Sequence, residues 1–209
     1  MVLEAQKQKI YLEITPDLHS KEDLLISIII PLYNEEKTIT QVINSIPNHR
    51  HYEIIIVDDG STDKSLEKIQ ELSNDNNYIN IISHKENKGY GSSILTGFKH
   101  STGDIIVTLD SDGQHDPGQI PLLIKPILDD EADIVIGSRY LGKSNYKIPL
   151  HTQIGEAFVE KILKYLFHRE VENNQSGFRA FRKECIDTFD EYLYTDFGLC
   201  TEILFKASM

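Results

Sequence analysis

The stretch DIIVTLDSDGQHDP, residues 104–117, carries the reading of the fold. Ile105, Ile106 and Val107 form a continuous apolar run that passes through Thr108 and Leu109 into Asp110, Asp112, Gln114, His115 and Asp116. A strand exposed on one face alternates apolar with polar residues. A strand buried on both faces, as in a parallel sheet, reads as an unbroken apolar run. This one empties into a knot of oxygen donors.

Outward from that stretch the pattern repeats. LLISIII (24–30) and YEIIIVD (52–58) are further apolar runs, the first ended by Pro31. YINIIS (78–83) and ADIVIGS (132–138) read as shorter strands. Between them, helical spacing predicts helices over 35–46, 63–73, 91–101 and 116–130, the last with a proline near its start. Strand–helix alternation with β-rich apolar runs predicts a parallel α/β sheet. In such sheets ligands bind beyond the carboxyl ends of the strands. Four of the predicted strands run directly into polar clusters: PLYNEE, DDGSTD, DSDGQHD and GSRY. One polar loop means little, but four on the same edge predict a single site.

The chemistry of that edge is that of hard oxygen ligands. Asp110 and Asp112 face the same way if strand geometry persists, because side chains alternate. Carboxylate and amide oxygens suit Mg²⁺ or Mn²⁺. An ion held by only one or two side chains keeps open positions for a diphosphate, and Arg139 can add a bidentate grip on the same phosphates. A calcium loop counted from Asp110 would need Gly and Glu where His115 and Pro121 stand. A phosphatase reading leaves DDGSTD and PLYNEE unexplained. A nicotinamide site would need three glycines where GYGSSI has two. His115 reads as a solvated loop histidine rather than a ligand, and for Lys85 and Lys88 an ordinary surface position stands as an equal alternative to a place at the site.

Bulk properties set the outer limits. The 209 residues suffice for one sizeable core. With 33 acidic against 21 basic residues and a net charge of −12, the surface repels nucleic-acid phosphates. Cys185 and Cys200 have no metal spacing and read as buried apolar residues of a reducing compartment. Residues 1–22 are polar, without a signal-peptide core, and read as an arm. No run approaches the ~18–20 apolar residues that span a bilayer. The C-terminal stretch has helical spacing at Leu199, Ile203 and Leu204 and then stops without cap or polar tail, as in the first part of a longer protein.

Five blocks, SIIIPLYNEEKTI, EIIIVDDGSTDKS, NKGYGSSILTGFKHSTGDIIVTLDSDGQHDP, ADIVIGSRY and QSGFRAFRKE, resemble in their order and spacing the family 2 glycosyltransferases of the GT-A fold. The likeness is to the branch containing dolichyl-phosphate mannose synthase and related polyprenyl-phosphate glycosyltransferases, and it runs from about Leu24 to Ala207. The resemblance implies one GT-A domain over 23–209, with a Rossmann-like, mostly parallel sheet flanked by helices. It implies that Pro31, Tyr33, Asn34, Glu35, Lys88, Gly89, Asp110 and Ser111 line a nucleotide-sugar pocket. Asp59 is implied to read the base, with Asp58 structural. Asp112 and Gln114 are the implied metal ligands, with Asp110 near the ribose and the metal. Asp112, Arg139 and Arg179 are the implied catalytic group. Ser176, Arg179 and Glu202 fall on the acceptor side, with a salt-bridged, packed Arg179 as the alternative.

Together these residues read as a metal-dependent, inverting glycosyltransferase. It takes a UDP- or GDP-linked sugar and transfers it to a polyprenyl phosphate, in the cytoplasm or peripherally at the cytoplasmic face of a membrane. The rivals are a saccharide hydroxyl as acceptor and a non-catalytic sugar-nucleotide-binding subunit. One departure bears on this choice. Many relatives carry an aspartate three residues before the serine of SGFR, where this chain has Asn173. Asparagine is no general base, which favours an acceptor already anionic over a hydroxyl.

Overall fold

The computed structural model describes residues 24–47, 51–74, 76–137, 176–189, 191–196 and 198–208. Among them lie six strands: β1 (Ile26–Leu32), β2 (Tyr52–Asp58), β3 (Ile79–Ser83), β4 (Ile105–Thr108), β5 (Ile134–Ile136) and β6 (Arg179–Arg182). The helices are α1 (Ile39–Asn44), α2 (Ser65–Asn74), α3 (Tyr90–His100), α4 (Ile120–Leu128), α5 (Lys183–Asp187) and α6 (Gly198–Ser208). The strands form one sheet in the order β3-β2-β1-β4-β6-β5. β1 to β4 run parallel, and β6 runs antiparallel between β4 and β5.

The unbroken apolar runs have the predicted consequence. Every residue of β1 is buried, and its alternate side chains feed two cores. Ile28 and Ile30 join Ile54, Ile56 and Val107 under α1, α2 and α4. Ile29 joins Ile55, Val57, Ile106 and Phe181 under α3, α5 and α6. The sheet is thus a middle layer covered on both faces, the arrangement that parallel strands require. Cys185 and Cys200 are free and buried, as their reading implied. Phe178 and Phe181 belong to the two cores.

Several local expectations need correcting. Pro31 does not end the first strand. It lies within β1, paired with Val57. The ladder to β4 stops at Ile29–Thr108, with Leu109 N–H as the last donor, to Ile29 O. Pro31 falls on the side where no partner waits for an N–H, so its missing donor costs little. The predicted helix over 35–46 begins only at Ile39. Before it, Glu35 N–H and Glu36 N–H are taken by Ser65 Oγ at the start of α2 and by Asp63 Oδ2 of the loop before it. The block QSGFRAFRKE supplies β6, a strand that the apolar pattern does not announce. Because β6 runs backwards, it brings Ser176–Arg179 to the carboxyl end of β4. The predicted arm over 1–22 lies outside the described residues. Among those described, no helix is long and apolar enough to cross a membrane.

Candidate active site

The loops leaving β1, β2, β3 and β4 meet at one sheet edge and are tied to one another in a ring. Asn34, just past β1, adopts φ 55°, a left-handed conformation that asparagine tolerates better than most residues. Its amide oxygen accepts Thr62 N–H (2.7 Å) and Asp63 N–H (3.3 Å), and its own N–H donates to Ser61 Oγ (3.1 Å). Asn34 therefore staples the β1 loop to the DDGSTD turn. Gly60 in that turn has φ 72°, and a Cβ there would stand 2.9 Å from the carbonyl carbon of Glu86. Asp58 accepts Ser61 N–H at 3.2 Å, a structural contact within the turn. Pro31 is buried behind this loop, whereas Tyr33 is 45% exposed at its rim and is no core tyrosine.

Asp59 ties β2 to the loop after β3. Its Oδ1 lies 2.6 Å from His84 Nδ1 and accepts Lys88 N–H at 2.9 Å, while Oδ2 accepts Gly89 N–H at 2.8 Å. The His84 ring continues to Thr96 Oγ1 on α3, at 3.0 Å. Lys88 thus contributes its backbone, and its side chain is exposed like that of Lys85. Gly89, with φ 95°, opens α3.

The end of β4 is held from three sides. Tyr90 OH, from α3, donates to Asp110 Oδ1 at 3.2 Å. Burial, and then the Asp110 carboxylate, push the Tyr90 hydroxyl well above its usual pKa, so it stays a donor. His115 Nε2 lies 3.5 Å from Asp110 Oδ2, and its ring stacks on Phe178 with centroids 5.3 Å apart. Its side chain is only 8% exposed, so the reading of a solvated loop histidine is wrong. The stacking partner lies at the entry to β6, a strand the sequence pattern does not place. Gly177 also closes on this carboxylate: a Cβ there would sit 2.0 Å from Asp110 Oδ1. Asp112 is half-buried, with Oδ1 accepting Gln114 N–H at 2.9 Å, and the Gln114 residue is exposed. The carbonyl of buried Ser111 accepts the Thr38 hydroxyl at 2.8 Å, which ties β4 back to β1. Glu35 Oε2 accepts the same hydroxyl at 3.0 Å. Among the described residues, no three His, Cys, Asp or Glu side chains form a ready-made metal cage.

All three acceptor-side candidates are inside the protein. Ser176 Oγ donates to Gly137 O (2.8 Å). Arg179 is 1% exposed, with Nε on Ser176 O (2.7 Å) and Nη1 on Cys200 O (2.8 Å). Glu202 is 6% exposed and accepts Leu193 N–H (2.9 Å) and Tyr194 N–H (3.0 Å), with Lys206 Nζ at 3.1 Å. Burial alone would raise its carboxyl. The two backbone donors and Lys206 outweigh it and hold the group below the usual glutamate range. Arg139, Asn173 and the apolar stripe Phe158, Ile162, Leu163 and Leu166, read as core rather than membrane-facing, lie outside the described residues.

The elements that sequence reading missed are Thr38, His84, Tyr90, Thr96, His115 and Gly177. All of them except His84 stood inside the quoted blocks. Nothing in the sequence near His84 marks it, because its partner, Asp59, lies 25 residues away.

Comparison with known proteins agrees with this architecture. The chain is 39% identical over 202 residues to a UDP-N-acetylglucosamine–dolichyl-phosphate N-acetylglucosaminyltransferase of Methanococcus voltae, an alignment spanning 88% of this chain and 80% of that one. It is 37% identical over 190 residues to a dolichol-phosphate mannosyltransferase of Pyrococcus furiosus, covering 87% of this chain and 53% of the relative. Among solved structures, glucosyl-3-phosphoglycerate synthase of Mycobacterium tuberculosis, in complex with Mn²⁺, UDP-glucose and phosphoglyceric acid, superposes with a TM-score of 0.67 at 22% identity, over 92% of this chain and 70% of that one. TarS of S. aureus superposes with a TM-score of 0.65 at 21% identity, over 88% of this chain and 55% of that one. These two likenesses show the GT-A fold. The model of glycosyl transferase family 2 matches residues 27–189, and with it the ring of loops at the sheet edge finds its place: the chain belongs to glycosyl transferase family 2 and is a glycosyltransferase.

Proposed function

We propose that this glycosyltransferase moves a sugar from a nucleoside diphosphate sugar to a polyprenyl phosphate, by a metal-dependent displacement that inverts the anomeric centre. The observation that carries the reading is the ring of cross-ties, which holds Asn34, Asp59, Asp110 and Asp112 at the carboxyl edge of one sheet. Support for the acceptor comes from the names of the relatives, both of which act on dolichyl or dolichol phosphate.

The oxygens past β4 fit a hard divalent ion. Asp112 has one oxygen engaged by Gln114 N–H, and its second has no partner among the described residues. Asp110 is pinned by Tyr90. Asp112 and Gln114 would hold Mg²⁺ or Mn²⁺, with Asp110 behind them, and a diphosphate would complete a shell that the protein leaves open. The bound ion would offset the charge that grows on the leaving diphosphate. The chain's own residues position the rest. Asp59 faces the base, the Asn34 staple fixes the loop beneath it, and Tyr90 keeps Asp110 from turning. Positioning of this kind is the main catalytic resource when the nucleophile is already charged. A phosphate acceptor has no proton to lose, which suits the asparagine at position 173. Attack opposite the leaving group in one displacement inverts the centre. Ser176, Arg179 and Glu202 serve as the floor of the site, and the acceptor meets other groups.

The test offers a radiolabelled sugar nucleotide to a short polyprenyl phosphate and, separately, to mono- and oligosaccharides, with Mn²⁺ or with excess chelator. Lipid-linked product of inverted configuration, formed only with metal, is the expected result. Transfer to saccharide alone overturns the acceptor, and full turnover in chelator overturns the metal.

A further inference from the structure

A carboxylate accepts about four hydrogen bonds, roughly two at each oxygen. At Asp59 three are already filled: His84 Nδ1 and Lys88 N–H on Oδ1, and Gly89 N–H on Oδ2. Among the described residues nothing fills the remaining acceptor position, on Oδ2. The side chain is 4% exposed, so the opening is about one contact wide. His84 is what closes Oδ1. It stands one residue beyond β3, with its N–H on Asp58 O (2.8 Å) and its ring 7% exposed between Asp59 and Thr96. A carboxylate only accepts, so Nδ1 carries the proton and Nε2 takes the Thr96 hydroxyl, which satisfies both ring nitrogens.

We infer that this site selects uracil over guanine, and that His84 is the positioning residue that enforces the choice by filling one oxygen of Asp59. The inference rests on the sugar-nucleotide reading above. Uracil presents a single N–H between two carbonyls and needs one acceptor. Guanine presents two adjacent N–H groups that dock on both oxygens of a carboxylate, and here Oδ1 is full. Its second donor is left unpaired in a nearly closed site. A site that leaves a buried polar group unpaired discriminates strongly.

Binding of UDP and of GDP is measured by calorimetry in Mn²⁺ for the wild type, His84→Leu and His84→Gln. The wild type binds UDP at least about tenfold tighter than GDP, the ratio given by ~1.4 kcal/mol. His84→Leu empties Oδ1 and brings the ratio towards one. His84→Gln keeps an N–H for Oδ1 and restores the preference, which a purely structural role of the ring would not do. GDP binding as tightly as UDP in the wild type overturns the inference while leaving the sugar-nucleotide reading intact. Binding of neither nucleotide overturns both. A wild-type ratio in His84→Leu removes His84 from the choice. If that variant melts without cooperativity, the wild type and His84→Gln decide.

Discussion

Replacing Gly177 by alanine tests how the first aspartate of the DSD sequence is held. An ideal Cβ at 177 would stand 2.0 Å from Asp110 Oδ1, 2.3 Å from Oδ2 and 2.4 Å from Cγ. No such contact survives in a real structure, so either the carboxylate or the start of β6 must move. Asp110 is not free to swing, because Tyr90 OH holds Oδ1. Thr108 Oγ1 donates to Gly177 O at 2.6 Å, which resists the alternative retreat of the backbone. Overpacking of this kind costs ~1–3 kcal/mol. At about 2–4 °C per kcal/mol for a domain of this size, melting should fall by about 2–12 °C.

Gly97→Ala is the matched comparison. Its Cβ would meet Ile29 Cγ2 at 2.3 Å, in the core under α3 and away from the sheet edge. Both variants should lose similar stability, by differential scanning calorimetry. Only Gly177→Ala should weaken the Mn²⁺-dependent binding of a sugar nucleotide, by about tenfold or more, equivalent to ~1.4 kcal/mol. Unchanged affinity and melting in Gly177→Ala would refute the reasoning. An equal loss of affinity in Gly97→Ala would show that the effect is general softening.

Other consequences can be measured directly. Glu202 is held below its usual pKa, so its contribution to stability is complete above the unfolded value near 4.3 and is lost as pH falls through the folded value. Wild type and Glu202→Gln should therefore differ most in urea melts at about pH 6–7 and converge only as pH falls through the folded value, below the usual glutamate range. Burial raises the Cys185 thiol to about 12, with Asp133 adding to the effect and Arg182 opposing it, and burial also raises Cys200. Neither thiol should react with an aromatic disulfide reagent at neutral pH until the protein is unfolded. Asn34→Ala forfeits both the left-handed preference and the amide that joins two loops, and should cost ~1–3 kcal/mol in chemical unfolding. Gly at that position should recover part of the loss, because it restores the conformation without the hydrogen bonds.

Much of the fold was legible because its signal is local. The apolar runs of β1, β2 and β4 mark strands buried on both faces, and the polar residues after each run mark the edge where they end. The sequence RAFR of β6 carries no such mark. It is four residues long, and its arginines serve distant partners: Arg179 reaches Cys200 O, and Arg182 reaches Asp133 and Asp130. Its strand character comes from lying between β4 and β5, which no window of sequence contains. Pro31 misled for the opposite reason. Its effect on a strand depends on whether a neighbour needs its N–H, and β4 has already ended there.

The same distinction separates the parts of the site. Carboxylates can be picked out one by one because their chemistry is intrinsic, whereas what each can still bind depends on partners brought by other elements. Asp59 and Asp112 look equivalent in sequence, each a carboxylate beyond a buried strand. In the structure Asp59 accepts two backbone N–H groups and the ring of His84, whereas Asp112 accepts one backbone N–H and keeps an oxygen without a partner among the described residues. On the proposed function, capacity divides the work between them: Asp112 would hold an ion and the diphosphate that comes with it, and Asp59 would accept a single hydrogen bond from a base. Arg179 follows the same rule. Its guanidinium matched a phosphate in sequence, but at 1% exposure it is already engaged by the carbonyls of Ser176 and Cys200.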